Sequence, residues 1–133
     1  MEKISNIILI FFFAISVSFA QIDMFSQIKE NFSTGNTAAL SASFGNNVTC
    51  EILGKNNFYS RSQLTIIFKD FFSTYKPKAF EIRHQKIEKN GRIYLIGIYT
   101  TQADEVFRVT IYAKQENETE IYITQIKIES IAK

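Results

Sequence analysis

At Pro77 the hydrophobic period of the chain changes from 3.6 to 2, and this switch restricts the fold more than any other feature of the sequence. Upstream, Leu64, Ile67, Phe68, Phe71, Phe72 and Tyr75 make one continuous helical stripe. Ser60 and Gln63 stand at capping-box spacing at its start, and the proline closes it, which predicts a helix of about 15 residues. Downstream, the runs 79–89, 92–102, 106–114 and 120–129 alternate apolar and polar residues, three of them rich in β-branched and aromatic residues. Four successive antiparallel strands are expected.

Asn90-Gly91 is the favoured pair for a two-residue type I′ turn, which sets Lys89 opposite Arg92 and His84 opposite Gly97. Closing the next turn at Gln102 and Glu105 sets Tyr99 opposite Arg108. This register carries a conflict. It groups Ile87, Tyr94, Ile96, Ile98, Phe107, Val109 and Ile111 on one face, yet puts Phe80, Ile82, Leu95, Tyr99, Val106 and Tyr112 on the other. Either a β-bulge shifts one strand by a residue, or the outer face is covered, most simply by a second copy of the protein.

Before the long helix, Phe25, Ile28 and Phe32 predict a short amphipathic helix that stops at Gly35. A second helix, capped by Asn36 or Thr37, runs through Ala38, Ala39 and Leu40. A strand over 47–53 and a turn at Gly54-Lys55-Asn56-Asn57 follow. Helix, helix, strand, capped helix and four-stranded meander make an α+β layout whose helices pack on one sheet face.

The first 20 residues read as a secretory signal peptide: Lys3, then nine apolar residues from Ile7 to Ile15, then Ser18-Phe19-Ala20 with small residues where a peptidase reads. Nine residues at 1.5 Å each cover roughly 14 Å of a hydrocarbon core about 30 Å thick, too little to span it. Cleavage before Gln21 leaves residues 21–133 as a single exported domain, periplasmic or extracellular, with no membrane anchor. The 15 basic and 13 acidic residues are spread evenly, and a charge of +2 points to neither nucleic acid nor an acidic partner. Cys50, the one cysteine, has no intramolecular partner and shares a strand face with Val48 and Ile52, which predicts an inward, inert thiol.

The order of elements resembles the nuclear-transport-factor-2-like fold, also called cystatin-like: a curved sheet wrapped on helices as a cone. Over residues 54–129 the resemblance narrows to a family of secreted Bacteroidetes proteins, domain of unknown function 4783. It rests on Gly54, Tyr59-Ser60, Gln63, Phe71-Phe72, Pro77, Phe80, His84, Tyr94-Leu95-Ile96-Gly97, Thr100-Thr101, Arg108-Val109 and Ile128-Glu129. Lys86-Ile87 departs from it, since a glycine is expected soon after the histidine. The resemblance implies a fold and an exported location, with no assigned activity.

For chemistry, His84 beside Gly97 is a candidate titrating ligand contact, the alternative being a histidine packed on a strand glycine. Tyr99 and Arg108, paired across strands, are candidates for binding an anion or polar head group, or for cross-strand support. Tyr94 is the further candidate on the same strands. No metal or other cofactor is expected, because one histidine and one distant cysteine make no ligand cluster. Three functions follow: a non-catalytic module binding a small apolar or amphipathic ligand or an exported protein partner; an isomerase-like or cyclase-like enzyme using Asp23 or a strand glutamate with Tyr94 or Tyr99; and a homodimer formed through the outer sheet face.

Overall fold

The computed structural model describes residues 19–131. Helices α1 (Phe19–Thr34) and α2 (Thr37–Ser41) lead into strands β1 (Phe44–Ile52) and β2 (Lys55–Ser60). Then come helix α3 (Arg61–Thr74) and strands β3 (Pro77–Ile87), β4 (Arg92–Thr101), β5 (Val106–Gln115) and β6 (Ile121–Ser130). Most of the expected leader, residues 1–18, lies outside the described residues; α1 runs through Ala20 and Gln21.

The long helix forms where its stripe and caps place it. Ser60 Oγ accepts from the Gln63 N–H at 3.3 Å while Gln63 Oε1 accepts from the Ser60 N–H at 3.0 Å. Two orphan amides of the first turn are thereby satisfied. Asn36, rather than Thr37, caps α2, its Oδ1 accepting from the Ala39 N–H at 3.1 Å.

The sheet has six strands in the order β2-β1-β6-β5-β4-β3. The expected meander is β3 to β6, all antiparallel. What the sequence reading lacked is β2. The turn there is the two-residue Leu53-Gly54, with φ of 51° and 86°, and Lys55-Asn56-Asn57 continue as strand opposite Ile52, Glu51 and Cys50. Asparagine and lysine are weak strand formers, so pairing with β1 overrides local preference here. β1 then pairs parallel with β6 and joins the hairpin to the meander.

The conflict over the two faces is resolved by bulges. The β3–β4 loop has three residues: the Glu88 N–H donates to the Arg92 carbonyl at 2.8 Å, and Gly91, at φ 85°, donates to the Glu88 carbonyl at 3.1 Å. This is a turn plus a glycine bulge rather than the expected type I′ pair. That loop sets His84 opposite Ile96, and a second irregularity between Ile82 and His84 then puts Ile82, not His84, opposite Gly97. At the next turn Tyr99 faces Phe107 and Ile98 faces Arg108, a slip of one residue from expectation. Phe80, Leu95, Tyr99, Phe107, Val109 and Ile111 are consequently buried together.

Phe32 of α1 sits at the centre of that core, fully buried. Its ring stacks on Phe80 at 4.8 Å and meets Phe68, Phe72 and Tyr99 edge-on at 5.9, 5.7 and 6.3 Å. Phe80 in turn lies across β4 at Gly97, where a Cβ would fall 2.2 Å from Phe80 Cζ. The stack on Phe32 leaves the ring nowhere to move. Gly97→Ala is expected to lower stability by about 1–3 kcal/mol in urea denaturation, the usual cost of overpacking. Adding Phe80→Leu should make the double variant's loss smaller than the sum of the single losses.

Candidate functional site

The four residues singled out from sequence separate onto two faces. Tyr99 points inward, fully buried, and its hydroxyl donates to the Tyr75 carbonyl at 2.5 Å. Burial pushes its pKa well above the ordinary tyrosine value. Arg108 points outward and pairs with Glu129 at 3.2 Å; Lys127 stands 3.5 Å from Glu129 and 3.6 Å from Glu51. The expected Tyr99–Arg108 pair therefore does not form, because the one-residue slip puts the two side chains on opposite faces. His84 and Tyr94 are also outside, with rings 5.7 Å apart and edge-on, and Tyr94 meets Tyr112 at 5.3 Å.

The interior holds rings where an isomerase-type site holds a carboxylate. Among the described residues the buried polar side chains are Asn31 and Thr101. Asp23 lies one turn inside α1, exposed, and accepts from Gln27 Nε2 at 2.7 Å. Glu81 and Glu129 face solvent beside Arg83 and Arg108. Arg108 and Lys127 hold Glu129 below the usual carboxylate range against the opposing effect of desolvation, its largest single influence.

The open space lies elsewhere, in a groove of about 580 Å³ between α3 and the tip of the β1–β2 hairpin. Ile66, Ile67, Asp70, Phe71, Thr74 and Tyr75 line it from the helix; Ile52, Lys55 and Tyr59 line it from the hairpin. Two adjacent helical rows, 66/70/74 and 67/71/75, form one wall, as spacing of four residues requires. The inner row belongs to the core stripe, and the outer row includes Ile66, which is 70% exposed. Lys55 and Asp70 belong to none of the ion pairs or side-chain hydrogen bonds among the described residues. Sequence reasoning missed this site because Ile66 and Asp70 lie off the apolar stripe and the opposite wall is the strand that read as a turn.

Among the described residues no three His, Cys, Asp or Glu side chains come together to hold a metal ion. No described helix is long and apolar enough to cross a membrane.

The model of the domain of unknown function DUF4783 matches residues 25–129. The chain belongs to the DUF4783 family. Solved structures agree. A DUF4783 protein of Bacteroides ovatus is 24% identical with a TM-score of 0.73, covering 80% of this chain and 94% of its own. One of Bacteroides uniformis is 25% identical with a TM-score of 0.74, covering 81% and 97%. Beyond the family, an NTF2-like protein of unknown function from Silicibacter pomeroyi has 14% identity and a TM-score of 0.59, covering 84% and 93%. A candidate ketosteroid isomerase of Shewanella frigidimarina has 17% identity and a TM-score of 0.64, covering 83% and 94%. A comparison with curated proteins finds no match. This DUF4783 chain thus has the α+β, nuclear-transport-factor-2-like fold, with six strands where a strand over 47–53 and a four-stranded meander were expected.

Cys50 is free and buried in this DUF4783 core, and desolvation pushes its thiol from 9.0 up to about 12. The native thiol should resist iodoacetamide at pH 8 and react only after unfolding. Because the folded pKa is the higher one, stability should fall as pH rises from about 9 to about 12, by at most about 1.4 kcal/mol per pH unit for this group. Cys50→Ala should lack that part of the alkaline decline in urea titrations at stepped pH.

Proposed function

We propose that this protein is an exported, non-catalytic binding module that takes an apolar or amphipathic ligand in the groove between α3 and the β1–β2 hairpin. One observation carries the reading: the interior of the sheet is filled by Phe32, Phe71, Phe72, Phe80, Tyr99 and Phe107, while the groove beside it, open among the described residues, is lined largely with apolar side chains. Ile52, Tyr59, Ile67 and Phe71 offer an apolar floor, and Lys55 and Asp70 offer polar contacts at its walls. The isomerase reading needs a carboxylate in a dry cavity, and the acids named above face solvent. Likeness to the Shewanella protein supports the shared fold and no more.

A second reading, pairing of two copies through the outer sheet face, is favoured by Tyr112 at 41% exposure and Phe58 at 69%. The His84–Tyr94–Tyr112 ring row crosses this face, and Arg108 with Glu129 flanks it.

Native mass spectrometry of the protein purified from its host without denaturation tests both. The groove reading expects added mass, a few hundred daltons for a small ligand or the mass of a partner polypeptide, lost on gentle activation and absent from Ile67→Asp. A bare monomer contradicts it, and a bare dimer transfers the function to the outer face.

A further inference from the structure

The two edges of the sheet are built differently. β3 carries Pro77, Lys78, Glu81, Arg83 and Lys86, and its Phe80 packs against α1. Proline and charge are the devices that keep an edge from pairing. β2, at the opposite edge, carries after Lys55 the uncharged run Asn56-Asn57-Phe58-Tyr59-Ser60.

The backbone at this edge has a defined orientation. The two-residue hairpin closes on Ile52 and Lys55, so the hydrogen-bonded pairs recur at Cys50 with Asn57 and at Val48 with Tyr59. The N–H and C=O groups of Asn56 and Phe58 therefore point away from β1, along the free edge. The hairpin tip is built against local preference: Leu53 stands at φ 51° with 42% of its surface exposed, where Asn, Asp or Gly is least strained.

We infer that the β2 edge and the adjoining groove capture an extended peptide segment of a partner protein as an added strand. This rests on the groove reading and names its occupant. Outward-facing amides and carbonyls are matched by peptide groups, and alternate apolar side chains of an added strand enter the groove against Tyr59 and Ile66. Lys55 on the hairpin wall and Asp70 on the helical wall, neither ion-paired among the described residues, complement a segment with an acidic and a basic residue flanking its apolar positions.

The test is selection of random decapeptides displayed on phage against the purified full chain, followed by fluorescence anisotropy with a selected, labelled peptide. The inference expects selected sequences that alternate apolar and polar residues, and slowed amide exchange at Asn56 and Phe58 when the peptide binds. Ile66→Asp, at an exposed position remote from the core, should weaken binding by about tenfold or more. Phe58→Pro, which removes an outward N–H on an edge strand where proline is tolerated, should weaken it similarly. The inference is overturned if no peptide is enriched, if both variants bind as well as the parent, or if protection appears on β3 or the outer face. Protection of residues 56 and 58 that grows with protein concentration in the absence of peptide also overturns it, assigning the edge to a second copy. An apolar dye that still binds the parent but not Ile66→Asp, with peptide binding absent, would remove the peptide and leave the groove reading standing. Loss of dye binding as well would remove both.

Discussion

Everything in this chain hangs on the ring of Phe32. Its ring meets α3 through Phe68 and Phe72, β3 through Phe80 and β4 through Tyr99. Each fully buried phenylalanine contributes about 1.5–3 kcal/mol by leaving water, and each ring pair adds about 0.5–1.5 kcal/mol. With its one cysteine free and buried, the described domain holds together by this packing instead of covalent staples. Gly97 is the complementary half of the device: without a side chain there, Phe80 can lie flat across β4 and reach Phe32.

Filling the sheet with rings has a functional consequence. On this fold a hollow interior suits a buried reaction centre, whereas here the interior is packed with rings and the groove lies outside it, where α3 leaves the core. The end of α3 is fixed on both sides: the Tyr75 N–H donates to the Phe71 carbonyl at 2.8 Å, and the Tyr75 carbonyl receives the Tyr99 hydroxyl. The helical wall of the groove is therefore tied to the aromatic core, while the opposite wall is the β1–β2 hairpin, held to β6 by the β1 pairing and by the Leu53 N–H, which donates to the Ile128 carbonyl at 3.0 Å.

How much of this was legible in the sequence varies by element. The capped helix from Ser60 and the four alternating runs were fully legible, because capping chemistry and hydrophobic period are local. The register was not. The Asn90-Gly91 pair signals a hairpin but does not by itself separate a two-residue from a three-residue loop, and the bulge between Ile82 and His84 is set by Phe80 seeking Gly97 and Phe32, a long-range contact. A separate one-residue slip at the β4–β5 turn, which sets Tyr99 opposite Phe107, sent Tyr99 inward and left Arg108 outside, so a pair inferred across strands never meets. β2 was illegible for a related reason: Lys55-Asn56-Asn57 has turn composition, and only β1 makes it a strand. Since β2 forms one wall of the groove, missing the strand meant missing the site.

The central claim, that binding occurs in the groove and not inside the sheet, is tested most directly by amide and methyl chemical shifts during titration with an apolar fluorescent dye. The account predicts that the largest changes fall on Ile52, Tyr59, Ile66, Ile67 and Phe71, with Leu95, Val109 and Ile111 unmoved. Changes centred on Leu95, Val109 and Ile111 would show a ligand entering the core and would contradict it.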